Sequence, residues 1–252
     1  MKSPEILEIT EANLDEVGLF CCMSKPESEM YKQKVDWMRA RFSEGLRYKI
    51  IANGGRGFIE YIPGEVAWRG IHAPRYMVIH CLWVVGKAKG HGCGKALLVD
   101  CIADAKRAGM LGVAVVTARH QLGLADTRFF LNQGFQVVAQ APPNLDLATL
   151  KFKSGQDPEF LGDWDAKLKA LGGELRVVYT SQCPFALGLA DGMLKLAKAE
   201  GIPIQTVHLD STSDVRREAP SAYGTFAVTA NGHILSHLYH RMTAARLKTL
   251  MN

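Results

Sequence analysis

The stretch Lys89-Gly90-His91-Gly92-Cys93-Gly94-Lys95 sets three glycines at alternate positions between two lysines. A run rich in β-forming residues, Tyr76 to Val84, leads into it. A helical pattern with Leu97, Leu98, Cys101, Ile102 and Ala105 on one face follows. A strand, a glycine loop and a helix start in that order suit an anion. The first turn of a helix leaves backbone N–H groups unpaired, the macrodipole favours negative charge there, and glycines admit a phosphate close to the backbone. Lys89 and Lys95 add charge on either side. The spacing argues against a P-loop, which needs four residues between its first Gly and Gly-Lys-Ser/Thr, and against the dinucleotide fingerprint G-x-G-x-x-G.

The elements that must hold this loop can be read in chain order. Glu5 to Thr10 alternates like a strand, and Thr10 to Phe20 carries a helix cap followed by helical spacing. A second helix is predicted from about Ser28 through Tyr31, Val35, Trp37, Met38 and Phe42. Leu46 to Ala52 and Gly57 to Ile62 read as strands joined at Asn53-Gly-Gly. Pro63 to Pro74 is a loop carrying Trp68 and Arg69. After the central strand, loop and helix come a buried strand at Gly112–Thr117, a short helix from Asp126 stopped by Gly134, and strands at Gln136–Val138 and Leu145–Phe152 parted by Pro142-Pro143.

Lys89 to Gly94 resembles the Q/R-x-x-G-x-G/A motif with which GNAT acetyltransferases hold the pyrophosphate of acetyl-coenzyme A. Lys stands at the first position, which keeps the charge and loses the bidentate geometry of arginine. Phe129-Phe-Leu-Asn-Gln-Gly-Phe135 resembles that family's late helix ending in Gly-Phe, and the order β-α-α-β-β-β-α-β-α-β-β is the family's order. More narrowly, Glu44-Gly-Leu-Arg-Tyr48, Gly57-Phe-Ile-Glu-Tyr-Ile-Pro63 and the sequel to Lys153 resemble acetyltransferases with a YoaP-type C-terminal domain.

The resemblance implies acetyl-coenzyme A as acetyl donor, gripped by Lys89, Gly90, His91, Gly92, Cys93, Gly94 and Lys95. The free backbone groups of Leu82, Trp83 and Val84 would hold the pantetheine arm and polarise the thioester carbonyl. The reaction implied is direct attack by the amine of a small-molecule or peptide acceptor. Glu60, flanked by Phe58, Ile59 and Tyr61, is the base candidate, with His80 able to share the role; each has a plainer reading, as a surface carboxylate and a core histidine. Phe130 stands where the family often places a tyrosine that protonates the departing thiolate. That leaves Tyr61, Tyr76 or water as the acid, or a thiolate that leaves unprotonated, and it keeps a non-catalytic acyl-coenzyme A sensor open as an alternative. Cys21 and Cys22 fall where this fold borders the acceptor pocket, either as ligand contacts or as two packed cysteines.

The second half changes character at Lys153-Ser-Gly-Gln-Asp-Pro158. The expected organisation is an acetyltransferase domain over 1–153, a linker and docking helix over 154–173, and a thioredoxin-like domain over 174–252. Overall the fold class is α/β (α+β), a mixed-sheet domain followed by a smaller one. Within the latter, Glu174–Thr180 is a strand, Ser181 to Phe185 a turn, Ala186 to Ala199 a helix and Ile204–Leu209 a strand. A hairpin turning at Asn231-Gly232 and a closing helix from about Thr243 complete it. Cys183-Pro184-Phe185 resembles the start of a glutaredoxin C-P-Y-C site, but Ala186 replaces the resolving cysteine and Gly224 stands in place of the cis-proline. A lone thiol at a helix N-terminus can still be stabilised as thiolate. A monothiol redox or thiol-binding protein centred on Cys183 is therefore the rival reading, against a cysteine with no redox role.

Composition bounds the rest. The 252 residues, 48% hydrophobic and 22% charged, describe a globular chain with room for one large or two ordinary domains. The net charge of +5 is spread without a basic block or basic–aromatic alternation, so no nucleic-acid partner is expected. No apolar run approaches a membrane span and Met1-Lys-Ser-Pro-Glu-Ile6 has no signal-peptide core, so the expected location is cytoplasmic. The six cysteines show neither C-x-x-C nor paired metal spacing, so no metal is expected and Cys81 and Cys101 read as core. A homodimer is left open.

Overall fold

The computed structural model describes residues 4–119, 124–237 and 242–251. They fall into two units, Met1–Ala67 with Ile71–Phe160, and Trp68–Gly70 with Leu161–Asn252.

In unit 1 the elements run β1 (Ile6–Ile9), α1 (Leu14–Val17), α2 (Glu29–Phe42), β2 (Arg47–Ile51), β3 (Gly57–Pro63), β4 (Ile71–His72), β5 (Tyr76–Val84), α3 (Cys93–Arg107), β6 (Gly112–Ala118), α4 (Thr127–Leu131), β7 (Gln136–Ala141), β8 (Leu145–Lys151) and β9 (Glu159–Phe160). Seven strands form one sheet in the order β1-β2-β3-β5-β6-β8-β7. All its pairs are antiparallel except β5 with β6. The apolar stripe of α3, with Leu97, Leu98, Cys101 and Ala105, packs with Ile59, Tyr61, Ile79, Val113 and Val115 in one core. Strands β3 and β6 are buried almost throughout, which is why they read as continuous apolar runs rather than as alternation.

Local chemistry sets the helix ends. Ser28 caps α2 by accepting from the Tyr31 N–H, and Asp126 caps α4 by accepting from the Arg128 N–H. The helix expected over residues 10–20 contracts to the single turn α1. Asn13 Oδ1 accepts from the Thr10 N–H at 2.7 Å, and Gly18 at φ +76° ends the turn. The short β4–β9 pair was not foreseen, since two-residue strands carry no periodicity.

In unit 2 the elements are α5 (Trp164–Leu171), β10 (Leu175–Tyr179), α6 (Pro184–Ala199), β11 (Ile204–His208), α7 (Thr212–Glu218), β12 (Phe226–Ala230), β13 (His233–His237) and α8 (Ala244–Met251). The sheet order is β11-β10-β12-β13, with β10 and β11 parallel and the other pairs antiparallel. Asn231 and Gly232, both at positive φ, turn the β12–β13 hairpin as expected from their types. Helix α7 had been missed; Ser211 Oγ accepts from the Asp214 N–H at 3.0 Å to start it.

Gly224 has φ +77°, and a Cβ there would lie 3.1 Å from Arg69 Cα and 3.3 Å from Gly70 N. Arg69 is buried. It donates to Gln182 Oε1 at 3.1 Å, and its guanidinium lies 5.6 Å from the Tyr223 ring centre. Glycine is therefore required at 224 on two counts, conformation and close approach. Gly224→Ala is expected to cost about 2 kcal/mol, read as a lowered denaturant midpoint of unit 2; an unchanged midpoint would contradict this packing. Among the described residues no helix is long and apolar enough to cross a membrane.

Candidate active site

Strands β5 and β6 pair from Tyr76↔Gly112 to Ile79↔Val115 and then part. β5 runs on to Val84, still paired with β3 through Trp83↔Phe58 and Val84↔Gly57. β6 runs on to Ala118, paired with β8 through Ala118↔Leu145. Backbone groups of a strand point alternately to its two edges, so along Leu82–Val84 those on the β6 side face no neighbouring strand. The result is a fork open at the carboxyl end of β5.

The glycine loop lies directly beyond. Gly90 and Gly92 take φ +82° and +80°, and a Cβ at either would meet nothing within 4 Å, so glycine serves backbone conformation there rather than space. Gly92 is the N-cap of α3, which has no side-chain cap and no acidic residue in its first turn. The first intrahelical bond runs from the Ala96 N–H to the Gly92 carbonyl at 2.9 Å. The N–H groups of Cys93, Gly94 and Lys95 therefore project from the helix end. Lys89, His91 and Lys95 are exposed, with His91 Nδ1 3.0 Å from the Lys89 carbonyl oxygen, whereas Cys93 is buried in the core beneath the loop. A Cβ at Gly94 would lie 3.5 Å from the Phe129 ring and 3.6 Å from Leu82, which places Phe129 where the loop meets the fork. Phe130 is wholly buried, in edge contact with Phe129 at 5.1 Å and Phe135 at 5.2 Å.

The structure brings Glu60 and His80 together. His80 is the first β5 residue past the last β5–β6 pair. Its Nδ1–H donates to Glu60 Oε1 at 3.1 Å, and Lys34 Nζ donates to Glu60 Oε2 at 2.6 Å. All three side chains are buried. Trp37 completes the cluster, its ring 4.1 Å from Lys34 Nζ and 6.2 Å from the His80 ring. Burial pushes the Glu60 carboxyl upward, but the Lys34 charge and the hydrogen bonds from His80 and Lys34 outweigh it and bring the pKa down to about 2. Glu60 is thus an ionised anchor. Accepting from Nδ1–H selects the tautomer in which Nε2 carries the lone pair whenever the ring is neutral. Lys34 was not foreseen as part of this group, since it sits on a helix whose other lysine, Lys32, is exposed.

Cys21 reaches the same neighbourhood through Tyr48, whose hydroxyl donates to Cys21 Sγ at 3.8 Å and whose ring stacks on Phe58 at 5.0 Å. Burial holds the Tyr48 hydroxyl well above its ordinary pKa. Cys22 takes a positive φ of 57° in the adjoining turn. Tyr61 and Tyr76, the two tyrosines expected as proton donors, are engaged elsewhere. Tyr61 OH donates to Asp104 on α3, in a network with Lys49, and Tyr76 OH donates to the Gln156 carbonyl at 3.0 Å. Asp146, also missed, is a buried carboxylate on β8. It accepts from Arg119 at 2.8 and 2.9 Å, Thr127 at 2.9 Å and Gln140 at 2.8 Å, and so ties α4 and β7 to the end of β6. In unit 2, Cys183 is the N-cap of α6 and Ala186 is buried in the first turn.

A mixed sheet parted at its parallel pair, ahead of a glycine loop and an uncapped helix, is the GNAT acetyltransferase arrangement. Over 250 residues the chain is 33% identical to the "Uncharacterized N-acetyltransferase YoaP" of Bacillus subtilis (strain 168), with 98% of each chain covered. The chain belongs to that family of N-acetyltransferases. Among solved structures it is similar to a GNAT-family acetyltransferase of Staphylococcus aureus Mu50, at 14% identity and TM-score 0.44, covering 60% of this chain and 100% of the other. It is also similar to yncA of Salmonella typhimurium, solved with acetyl-CoA, at 17% identity and TM-score 0.44, covering 63% and 99%. Likenesses that distant bear on neither ligand nor substrate. No family model matches the chain.

Proposed function

We propose that unit 1 binds acetyl-coenzyme A along the open edge of β5 and passes the acetyl group directly to an amine within a ternary complex. The observation that carries this reading is the parting of β5 and β6 beyond Ile79↔Val115, immediately before the glycine loop. The diphosphate takes the N–H groups of Cys93, Gly94 and Lys95 at the start of α3, with Gly90, Gly92 and His91 shaping the approach and Lys89 and Lys95 adding charge. The pantetheine arm lies along Leu82–Val84, whose N–H groups on the free edge meet the thioester oxygen as it gains negative charge. Phe129 and, behind it, Phe130 wall this channel.

The amine lone pair attacks the acetyl carbon, the carbon–sulfur bond breaks, and coenzyme A leaves as thiolate. His80 takes the acceptor's proton at Nε2, directly or through water, while Glu60, with a pKa too low to hold a proton at neutral pH, positions the ring. With Tyr61 and Tyr76 committed elsewhere and Phe130 lacking a hydroxyl, water protonates the thiolate. The acceptor is a small-molecule or peptide amine, and Cys21 borders its entry. For unit 2, the strand order with one parallel pair supports a thioredoxin-like module carrying Cys183, and a cytoplasmic location suits six cysteines that form no disulfide among the described residues.

Release of coenzyme A thiol across a panel of amines tests this reading. At least one amine is expected to give saturable release. In His80→Gln the turnover should fall about 100-fold with the dissociation constant for acetyl-coenzyme A unchanged. Tight binding with no thiol release from any amine would instead mark a sensor.

A further inference from the structure

Unit 2 contains a hydrogen-bonded chain of three side chains that acetyl transfer does not use. The parallel strands β10 and β11 stay in register to Tyr179↔His208, and the Leu209 N–H donates to the Tyr179 carbonyl at 2.8 Å. Both strands therefore end at one level, and the residues just past them emerge together at the carboxyl end, where sites in parallel sheets collect. Ser181 Oγ lies 3.0 Å from His208 Nε2, and His208 Nδ1 lies 2.6 Å from Asp210 Oδ1. With the Asp210 carboxylate accepting from Nδ1–H, the lone pair of the neutral ring sits on Nε2, so the Ser181 hydroxyl donates. The Tyr179 ring lies against the imidazole, centres 4.7 Å apart and tilted by 32°, and fixes its plane.

A hydroxyl, an imidazole in that tautomer and an orienting carboxylate are the parts of a serine acyl-transfer centre, recognised by geometry and roles rather than by position in a fold. Two features close to Ser181 in the chain suit the same chemistry. Helix α6 begins at Pro184, just after Ser181 in the chain, and its N-terminal end favours developing negative charge. Phe185 in its first turn leaves its side chain 40% exposed, an apolar surface for a short acyl chain.

We propose that Ser181, His208 and Asp210 form a second, hydrolytic centre that cleaves small activated acyl esters or thioesters. Ser181 Oγ bonds to the acyl carbon while its proton passes to His208 Nε2. The bond from that carbon to the alcohol oxygen or thiol sulfur breaks, and the leaving group takes the proton from Nε2. Water then attacks the acyl-serine, its proton passes through His208 to Ser181 Oγ, and the carboxylic acid departs. One water is consumed per acid and alcohol or thiol released, and nothing is oxidised or reduced. Asp210 is 74% exposed, so solvent screens its charge and its removal is expected to cost only about tenfold.

The probe is p-nitrophenyl acetate, with the full chain assayed in a Cys183→Ser background so that the neighbouring thiol cannot act as nucleophile. Nitrophenol release is expected to persist in Cys183→Ser and to fall more than tenfold when Ser181→Ala or His208→Gln is added. In parallel, a fluorophosphonate reagent on the wild-type chain should modify Ser181, as read by peptide mass; this result depends on no variant folding. Hydrolysis lost in Cys183→Ser, hydrolysis unchanged by Ser181→Ala, or reagent found anywhere but Ser181 would overturn the proposal.

Discussion

Lys34→Met is expected to destabilise unit 1 by about 3–5 kcal/mol, the cost of leaving a buried charge without its partner. Glu60 would keep the His80 hydrogen bond and lose the ammonium 2.6 Å away. Because the pair is wholly buried, no water replaces the lost partner. The double variant Lys34→Met/Glu60→Gln removes both charges and should recover most of that loss, so a double-mutant cycle by denaturant unfolding checks the coupling. Additive losses would show that the two side chains do not interact. The pair also fixes the sign of the acid response. The folded pKa of Glu60, about 2, lies below its ordinary 4.5. Its contribution is therefore complete above the ordinary value and is lost as pH falls through the folded one, on the order of 3 kcal/mol. Stability should decline more steeply between these values in the wild type than in the double variant.

Gly92→Glu should weaken acetyl-coenzyme A binding by about 100-fold, close to 3 kcal/mol, with the fold retained. The Cβ meets nothing within 4 Å, so the structural cost is confined to a non-glycine residue at φ +80°, about 1 kcal/mol. The carboxylate, in contrast, stands at the positive end of α3, where the diphosphate is proposed to sit, and like charges repel there. Gly92→Asn separates the two terms, because asparagine tolerates the left-handed conformation and brings no charge. It should bind within several-fold of wild type. Equal losses in the two variants would mean that loop conformation, not charge, governs binding.

The glycine loop could be read from the sequence because its signal is local: residue types that only a turn tolerates, between a strand and an amphipathic stripe. The same holds for the Ser28 and Asp126 caps and for the Asn231-Gly232 hairpin. The Lys34–Glu60–His80 cluster was half visible. Glu60 and His80 stand out as polar residues in apolar strands, but β3, and β5 from Tyr76 to His80, are buried on both faces and so gave no alternation to say which way either points. Lys34 is a helix residue far from Glu60 in the chain, and nothing local marks it as inward. The fork itself left no trace in residue types, since it arises where β5 and β6 stop pairing while both strands continue. For Ser181, His208 and Asp210 the missing information was register: only the alignment of β10 with β11 through Tyr179↔His208 brings them together.

Amide hydrogen exchange with and without acetyl-coenzyme A, resolved to peptides covering residues 82–84 and 93–95, tests the central claim most directly. The account predicts slowed exchange in both segments at saturating ligand, while the already paired strands β7 and β8 stay unchanged. Binding that leaves both segments exchanging as before would place the cofactor elsewhere and contradict it.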